Sequence, residues 1–266
     1  MARVRVGELQ IAYRTDGRGE PVVLIGGFTI VKESWELQVA ELSKHFRVVS
    51  FDNRGVGETT APRKSFTIAE MAADTVGLMD ALGIESAHVF GVSMGGLIAQ
   101  VLALDHPRRV RKVVLGCTTH GGRHAVQPKK EVMELLGKAA DPSLPVEESV
   151  RMRIPTVFSE RFIQEEPERL EEFVRSSVRY SPTPEGAAGQ MGALSVFNSR
   201  RRLGEIRCPV LVITGAEDRM MPPENSRLLA EGIEGAEQYT VAGAGHSFFL
   251  EKPDEVNRVL IDFLSR

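Results

Sequence analysis

The sequence predicts an α/β fold, in which a mostly parallel sheet has helices on both faces and one helical insertion interrupts the core. Strand-like apolar runs alternate with helical segments over residues 2–117, and the alternation resumes over residues 209–266. Residues 118–203 contain several charged helical patterns and no convincing strand. We therefore expect a core in two parts, residues 1–117 and 204–266, with residues 118–203 as a helical cap.

The predicted strands are short apolar runs, and the first two form a hairpin with a turn at Gly7-Glu8. In chain order the hairpin covers residues 2–14, and the later strands cover residues 21–25, 46–51, 86–90, 110–116, 209–213 and 237–241. Between them the predicted helices cover residues 34–44, 68–82, 96–104 and 224–233, with a closing helix around residues 256–264. The best-marked helix starts after Thr67, because Thr67 and Glu70 form a capping box and Gly83 supplies the stop.

Composition and charge narrow the classes of function. The chain has 266 residues and can bury a large core, and its hydrophobic content of 42% is that of an ordinary globular protein. A net charge of −3 gives no reason to expect a nucleic-acid partner. Residues Met1–Gly7 lack the apolar segment of a secretion signal, and no apolar run reaches the length of a membrane helix. We expect a cytoplasmic protein without a membrane partner, and assembly into a homo-oligomer stays open.

One pentapeptide, Gly91-Val92-Ser93-Met94-Gly95, has the pattern of a nucleophile elbow. It follows a strand-like segment and precedes an apolar segment long enough for a buried helix. A sharp strand-to-helix turn projects its central side chain at the top of the sheet and needs small residues two positions to either side. Gly91 and Gly95 occupy those positions, which makes Ser93 the candidate nucleophile. The pattern alone also occurs by chance in loops, so a base and an acid must be found elsewhere.

The acid and the base are expected where other strands end, because functional groups gather at the carboxyl ends of parallel strands. Asp218 follows the strand at 209–213 and His246 follows the strand at 237–241. A serine hydroxyl is a poor nucleophile at neutral pH, so an imidazole must take its proton and a carboxylate must orient that imidazole. Ser93, Asp218 and His246 are therefore the predicted catalytic residues.

Other residues of the same types fit these roles less well. Glu217 competes with Asp218, but its side chain would point elsewhere. His120 and His124 begin the insertion and could face a pocket, yet neither follows a sheet strand with the glycines that precede His246. Cys117 and Cys208 lie far apart and outside any metal-ligand spacing, so both are interpreted as buried thiols and neither a metal nor a cofactor is expected.

Across nearly its whole length the chain resembles the α/β-hydrolase family, most closely its small capped esterases and lactonases of the 3-oxoadipate enol-lactonase-like group. The matching motifs are Phe51–Gly57 after the fourth strand, Gly91–Gly96 at the elbow, Gly215–Asp218 for the acid and Gly245-His246 for the base. The resemblance implies an eight-stranded α/β-hydrolase sheet and a small-molecule substrate.

An oxyanion hole needs two backbone N–H groups directed at the developing negative charge. Met94, the residue after the nucleophile, supplies one of them. By family resemblance the other comes from the loop at Gly26–Thr29, which suggests the N–H of Phe28. Related sequences usually have a histidine where this chain has Gly26, so this loop is expected to be held differently.

The expected reaction is hydrolysis of a carboxylic ester or lactone through an acyl-enzyme. Relatives with the same triad also cleave C–C bonds or make peracids (perhydrolase or haloperoxidase-type activity), and a ligand-binding protein on this scaffold is a non-enzymatic alternative. The cap should lie over Ser93 and set the substrate range. The candidate pocket residues are Phe158, Met191, Leu194, Phe197 and Phe248, although cap residues of this kind can equally be core contacts.

Overall fold

The computed structural model describes residues 2–60, 65–141 and 143–266, and within them eight strands form one sheet. The strands are β1 (Ala2–Val6), β2 (Leu9–Asp16), β3 (Pro21–Ile25), β4 (Arg47–Phe51), β5 (Ala87–Val92), β6 (Val110–Gly116), β7 (Val210–Gly215) and β8 (Glu237–Val241). Their order across the sheet is β1-β2-β4-β3-β5-β6-β7-β8. β2 pairs antiparallel with β1 and β4, and the remaining pairs are parallel. The mostly parallel eight-stranded sheet is as predicted.

Helices connect the strands and cover both faces of the sheet. In the described residues they are α1 (Glu36–Leu42), α2 (Ile68–Ala81), α3 (Met94–Asp105), α4 (Lys130–Ala139), α5 (Val146–Val157), α6 (Glu160–Glu165), α7 (Pro167–Arg179), α8 (Pro184–Ser195), α9 (Glu224–Gly232), α10 (Phe248–Glu251) and α11 (Pro253–Ser265). Three short 3-10 segments add Lys32–Trp35, Pro107–Arg109 and Arg200–Glu205. The predicted helix at 34–44 is therefore a 3-10 turn followed by α1.

The apolar core has two layers, one on each face of the sheet. On one face α2, α3 and α9 contribute buried residues such as Met71, Ile98 and Leu229. On the other face Trp35 packs against the ring of Phe90 at a centroid distance of 5.3 Å, in a cluster that α1 and α11 complete. Because strands β3, β5 and β7 are buried on both faces along nearly their whole length, their sequences are almost entirely apolar.

Helix α2 begins with the predicted capping box. The hydroxyl of Thr67 accepts the Glu70 N–H at 3.2 Å, and the Glu70 carboxylate accepts the Thr67 N–H at 2.9 Å. These two bonds satisfy donors that have no partner inside the helix. Residues 52–66 precede this helix, and their content of Gly, Thr, Pro and Asn predicts a loop, of which residues 61–64 lie outside the described residues.

Helices α4 to α8 lie between β6 and β7 and form the helical insertion that the sequence predicts. The described part of the insertion contains no strand of the sheet, and Gly121 and Asn198, near its two ends, form an isolated antiparallel bridge. The boundaries 118 and 203 stay a prediction. No helix in the described ranges is both long and apolar enough to cross a bilayer.

Candidate active site

Ser93 occupies the turn between β5 and α3 in a backbone conformation that residues with a side chain rarely adopt, with φ of 53° and ψ of −118°. Two hydrogen bonds hold the turn: the Ser93 N–H donates to the carbonyl of Gly116 at 2.8 Å, and the Ser93 carbonyl accepts the hydroxyl of Thr118 at 2.7 Å. Both partners belong to β6 or follow it directly. The neighbouring strand therefore fixes the strained turn, and the Ser93 side chain is partly exposed.

Glycines around Ser93 permit backbones to approach closely. A Cβ on Gly91 would lie 2.1 Å from the carbonyl oxygen of Gly95, and a Cβ on Gly95 would lie 2.1 Å from that of Ile25 at the end of β3. A Cβ on Gly27, in the loop after β3, would be 3.0 Å from the Cβ of Ser93. The elbow therefore packs directly on the loop that the resemblance gives as the oxyanion loop.

Asp218 and His246 form a buried hydrogen-bonded pair. Asp218 Oδ2 lies 2.8 Å from His246 Nδ1, and because an ionised carboxylate only accepts hydrogen bonds, Nδ1 carries the proton. Asp218 Oδ1 accepts the N–H groups of Met220 at 2.9 Å and Met221 at 2.7 Å. The carboxylate is thus fixed on both sides, and Nε2 of His246 is left as the proton acceptor.

Topology brings the pair and Ser93 to one edge of the sheet. Ser93 follows β5, Asp218 follows β7 and His246 follows β8, and these strands lie parallel in neighbouring or near-neighbouring positions. Their carboxyl ends therefore open on the same crevice.

Cys117 follows β6 between these strands, in a backbone conformation with φ of 39°. Donor atoms of Cys117, Asp218 and His246 lie within 4.8 Å of one another, which makes this set the one group of potential metal ligands among the described residues. Because His246 Nδ1 already donates to Asp218, we interpret the set as an acid–base pair flanked by a thiol. Cys117 is fully buried and Cys208 is half-buried, where burial raises the pKa of its thiol to about 11.

The environment of His246 makes its ring more basic than a free imidazole. Burial by itself lowers the pKa of this histidine, but the negative charge and hydrogen bond of Asp218, together with the neighbouring Cys117, raise the pKa well above 6.5. Such a histidine is strongly basic when it is neutral, which suits a group that must take a proton from a hydroxyl.

The loop after β3 contains the candidate oxyanion donor Phe28, which is half-buried. The carbonyl of Gly26 accepts the side-chain N–H of Asn53 at 2.9 Å, and the N–H of Lys32 donates to Asp52 at 2.8 Å. Met94, the other candidate donor, is the first residue of α3, so its N–H has no partner within the helix.

The cap contacts the His246 loop through Glu251, a buried carboxylate that the sequence analysis did not single out. Glu251 accepts the Gly245 N–H at 2.8 Å and the hydroxyl of Ser159, from the turn between α5 and α6, at 2.5 Å. The Ser247 N–H also donates to the carbonyl of Val157 in α5 at 2.8 Å. No short motif could have indicated Glu251, because its partners are backbone groups and a cap serine.

The five candidate pocket residues lie in four different environments. Phe158 is buried in a cap cluster, stacked on Phe162 at 5.0 Å. Phe248 is fully buried in the core layer that contains Trp35. Leu194 and Phe197 pack against the opposite core layer, and Met191 is half exposed, at 51%. Their joint role as a pocket lining stays a prediction.

A cavity of about 610 Å³ opens between the cap and the segment that contains α1. Its walls include Phe158, Phe173, Arg175, Arg179 and Leu37. Ser93, Asp218 and His246 are not among the described residues that line it.

Comparisons with known proteins agree with this architecture. The family described as the alpha/beta hydrolase fold matches residues 20–253. A putative carbamate hydrolase, RutD of Azorhizobium caulinodans, is 31% identical over 97% of this chain and 96% of its own length. The putative non-heme bromoperoxidase BpoC of Mycobacterium tuberculosis is 32% identical over 97% of this chain and 98% of its own. The crystal structure of an enol-lactonase from Burkholderia xenovorans superposes with a TM-score of 0.88 and 30% identity, with both chains fully covered.

Proposed function

This chain belongs to the α/β-hydrolase fold family, and on that basis we propose that it is a serine hydrolase of carboxylic esters or lactones. Ser93 is the nucleophile, His246 the general base and acid, and Asp218 the residue that orients His246. The observation on which the proposal depends most is the buried pair of Asp218 and His246, whose 2.8 Å hydrogen bond leaves Nε2 free to accept a proton.

The reaction proceeds through two acyl transfers. Ser93 Oγ attacks the carbonyl carbon while its proton passes to His246 Nε2. The C–O bond to the leaving alkoxide then breaks, and His246 returns the proton to that oxygen. A water molecule, deprotonated by His246, next attacks the acyl-enzyme and releases the acid and free Ser93. In a lactone the leaving oxygen stays attached to the acyl group, so the product is one hydroxy acid.

The N–H groups of Phe28 and Met94 hold the oxyanion of each tetrahedral intermediate. Two features support this assignment: the closeness of Gly27 to Ser93, and the position of Met94 at the start of α3, where the helix dipole favours negative charge. The enol-lactonase of similar structure also makes lactones a sensible substrate class to test.

A panel of aryl esters, alkyl esters and lactones of graded acyl length tests this proposal on the wild type and on Ser93→Ala. We expect turnover of at least one class by the wild type and its loss in the variant. Equal turnover by both proteins would contradict the mechanism.

A second candidate reaction uses the same acyl-enzyme but hydrogen peroxide in place of water, which would make a peracid. The similarity to a putative bromoperoxidase favours including it. C–C bond cleavage, a carbamate substrate and a ligand-binding role without catalysis are the remaining alternatives. Assays of peracid formation and β-diketone cleavage beside ester hydrolysis separate the enzymatic reactions, and failure of a fluorophosphonate to label Ser93 would favour the ligand-binding role.

A further inference from the structure

We infer that Gln190, a residue of cap helix α8, is a positioning residue for the oxyanion hole. It holds the loop after β3 in the conformation that directs the Phe28 N–H at the substrate. This inference rests on the proposed function, because it concerns the stabilisation of the oxyanion formed by Ser93.

Gln190 makes two hydrogen bonds to the backbone of the core, one from each end of its side-chain amide. Its Oε1 accepts the N–H of Thr29 at 3.0 Å, and its Nε2 donates to the carbonyl of Arg54 at 3.1 Å. The side chain is fully buried. One cap residue thus joins the loop after β3 to the loop after β4.

The bond to Thr29 acts on the peptide next to the proposed donor. Thr29 has a φ of 59°, which is uncommon for a β-branched residue and persists only when its surroundings fix it. Gly27 and Ile30 close a tight turn around Phe28 and Thr29, because the Ile30 N–H donates to the Gly27 carbonyl at 3.2 Å. Holding the Thr29 N–H therefore fixes the turn in which the Phe28 N–H lies.

The other ties of this loop lie at its ends. Asn53 holds the carbonyl of Gly26, before the turn, and Asp52 holds the N–H of Lys32, after it. Across the described residues, Gln190 is the one side chain that binds the backbone of the turn itself. Gly26 has no side chain that could hydrogen-bond to this loop. The hydrogen bond from Gln190 in the cap takes that role.

Close backbone packing holds helix α8 in register for this contact. A Cβ on Gly186 would lie 2.0 Å from the carbonyl oxygen of Gly55, and a Cβ on Gly189 would lie 2.4 Å from the ring of Phe66. Glycine at these positions lets the helix approach the loop after β4, so that Gln190 reaches both backbone partners. The position of cap helix α8 therefore determines the conformation of the loop that carries the Phe28 N–H.

Two substitutions separate positioning from simple packing. Gln190→Leu removes both hydrogen bonds and leaves the half-buried Thr29 N–H without its acceptor. Gln190→Glu keeps an oxygen that accepts the Thr29 N–H, whether or not the new carboxyl is ionised. Asn257→Leu serves as the matched control, since it removes a buried amide that bonds the carbonyl of Leu37 at 3.0 Å, away from the turn.

The readouts are kcat, KM, the rate of Ser93 phosphonylation by a fluorophosphonate, and Tm. We expect Gln190→Leu to lower kcat and the phosphonylation rate about 10- to 100-fold with KM within about threefold, because only the charged intermediate uses the oxyanion hole. Gln190→Glu should keep kcat within about threefold of the wild type, and Asn257→Leu should lower Tm without lowering kcat.

Unchanged kcat in Gln190→Leu would overturn the inference, as would an equal loss in the Leu and Glu variants. If Gln190→Leu does not fold, Gln190→Met replaces it with the same expected and contradicting results. Either contradicting result would leave the proposed function intact, provided that the wild type is labelled at Ser93 and turns over an ester. If the wild type is not labelled, the proposed function fails first.

Discussion

Gly215 and Gly245 approach so closely that a Cβ on Gly215 would lie 2.1 Å from the Gly245 carbonyl oxygen. Gly215 ends β7 just before the loop that presents Asp218, and Gly245 directly precedes His246, so their contact holds the two segments together. Neither glycine has a positive φ, so backbone conformation does not require glycine here. The requirement is steric. This packing is a reason for glycine at position 215 that is independent of the chemistry, and a Cβ on Gly245 would instead meet the backbone of Phe158 at 2.9 Å.

We predict that Gly215→Ala destabilises the fold by about 3 kcal/mol, because the added methyl group meets backbone that cannot move aside. Its kcat should fall as well, since the two loops must separate. Gly137→Ala is the control, because Gly137 lies in α4 with nothing within 4 Å of an added Cβ. Chemical denaturation of both variants checks this, and equal stability of the two would contradict it.

Asp218→Asn should lower kcat about 10³- to 10⁴-fold while the protein stays folded. The amide oxygen can still accept the N–H groups of Met220 and Met221, which leaves its NH₂ group facing His246. Nδ1 must then be the acceptor, so Nε2 carries the proton and cannot take one from Ser93. Steady-state kinetics with Tm measurements test this, and a loss of less than tenfold would show that Asp218 does not set the tautomer.

The pH dependence of kcat/KM should have an acid limb with its midpoint above pH 6.5. Burial alone lowers the pKa of His246, but Asp218 raises this pKa by more than burial lowers it. The histidine of the free enzyme therefore becomes a neutral base only at higher pH. Activity therefore rises as pH increases through that pKa, because the imidazolium form cannot accept the Ser93 proton. A midpoint below pH 6.5, measured with a substrate that does not ionise, would contradict this assignment.

Lys32→Met should destabilise the protein by about 3–5 kcal/mol, because it leaves the fully buried carboxylate of Asp52 without its cation. Lys32 Nζ lies 3.0 Å from Asp52, 3.0 Å from Glu58 and 2.9 Å from Glu33, with 2% of the side chain exposed. Burial lowers the pKa of this lysine, but the three carboxylates raise it more. The double variant Lys32→Met, Asp52→Asn should recover part of the loss in a denaturation experiment, and no recovery would assign the loss to Lys32 packing.

The sequence was sufficient for the parts of the molecule that local rules determine. Buried strands appear as apolar runs, and Thr67 and Glu70 mark the start of α2. Glycine is needed at both ends of the elbow because a Cβ there would collide with neighbouring backbone. The order of functional side chains after successive strands follows from the parallel topology. These features could be predicted because each depends on neighbours in the chain or on the sheet as a whole.

The contacts of the cap could not be predicted in the same way. Gln190 lies 161 residues from Thr29 in the chain and Glu251 lies 92 from Ser159, so no spacing rule relates them. The candidate pocket residues illustrate the same limit, since an apolar residue of the insertion packs against a core layer, another cap helix or solvent according to tertiary context. Phe158, stacked on Phe162 within the cap, and Met191, which is 51% exposed, are two such cases.

Labelling of the intact protein with a fluorophosphonate tests the central claim most directly, because the reagent reacts with a serine that has an active base and an oxyanion hole. Peptide mapping by mass spectrometry then identifies the modified residue. We predict one adduct per chain, located on Ser93, that is absent from Ser93→Ala and strongly reduced in His246→Ala although both variants stay folded. A folded wild type without an adduct, or with an adduct that persists in Ser93→Ala, would contradict the assignment of Ser93 as the nucleophile.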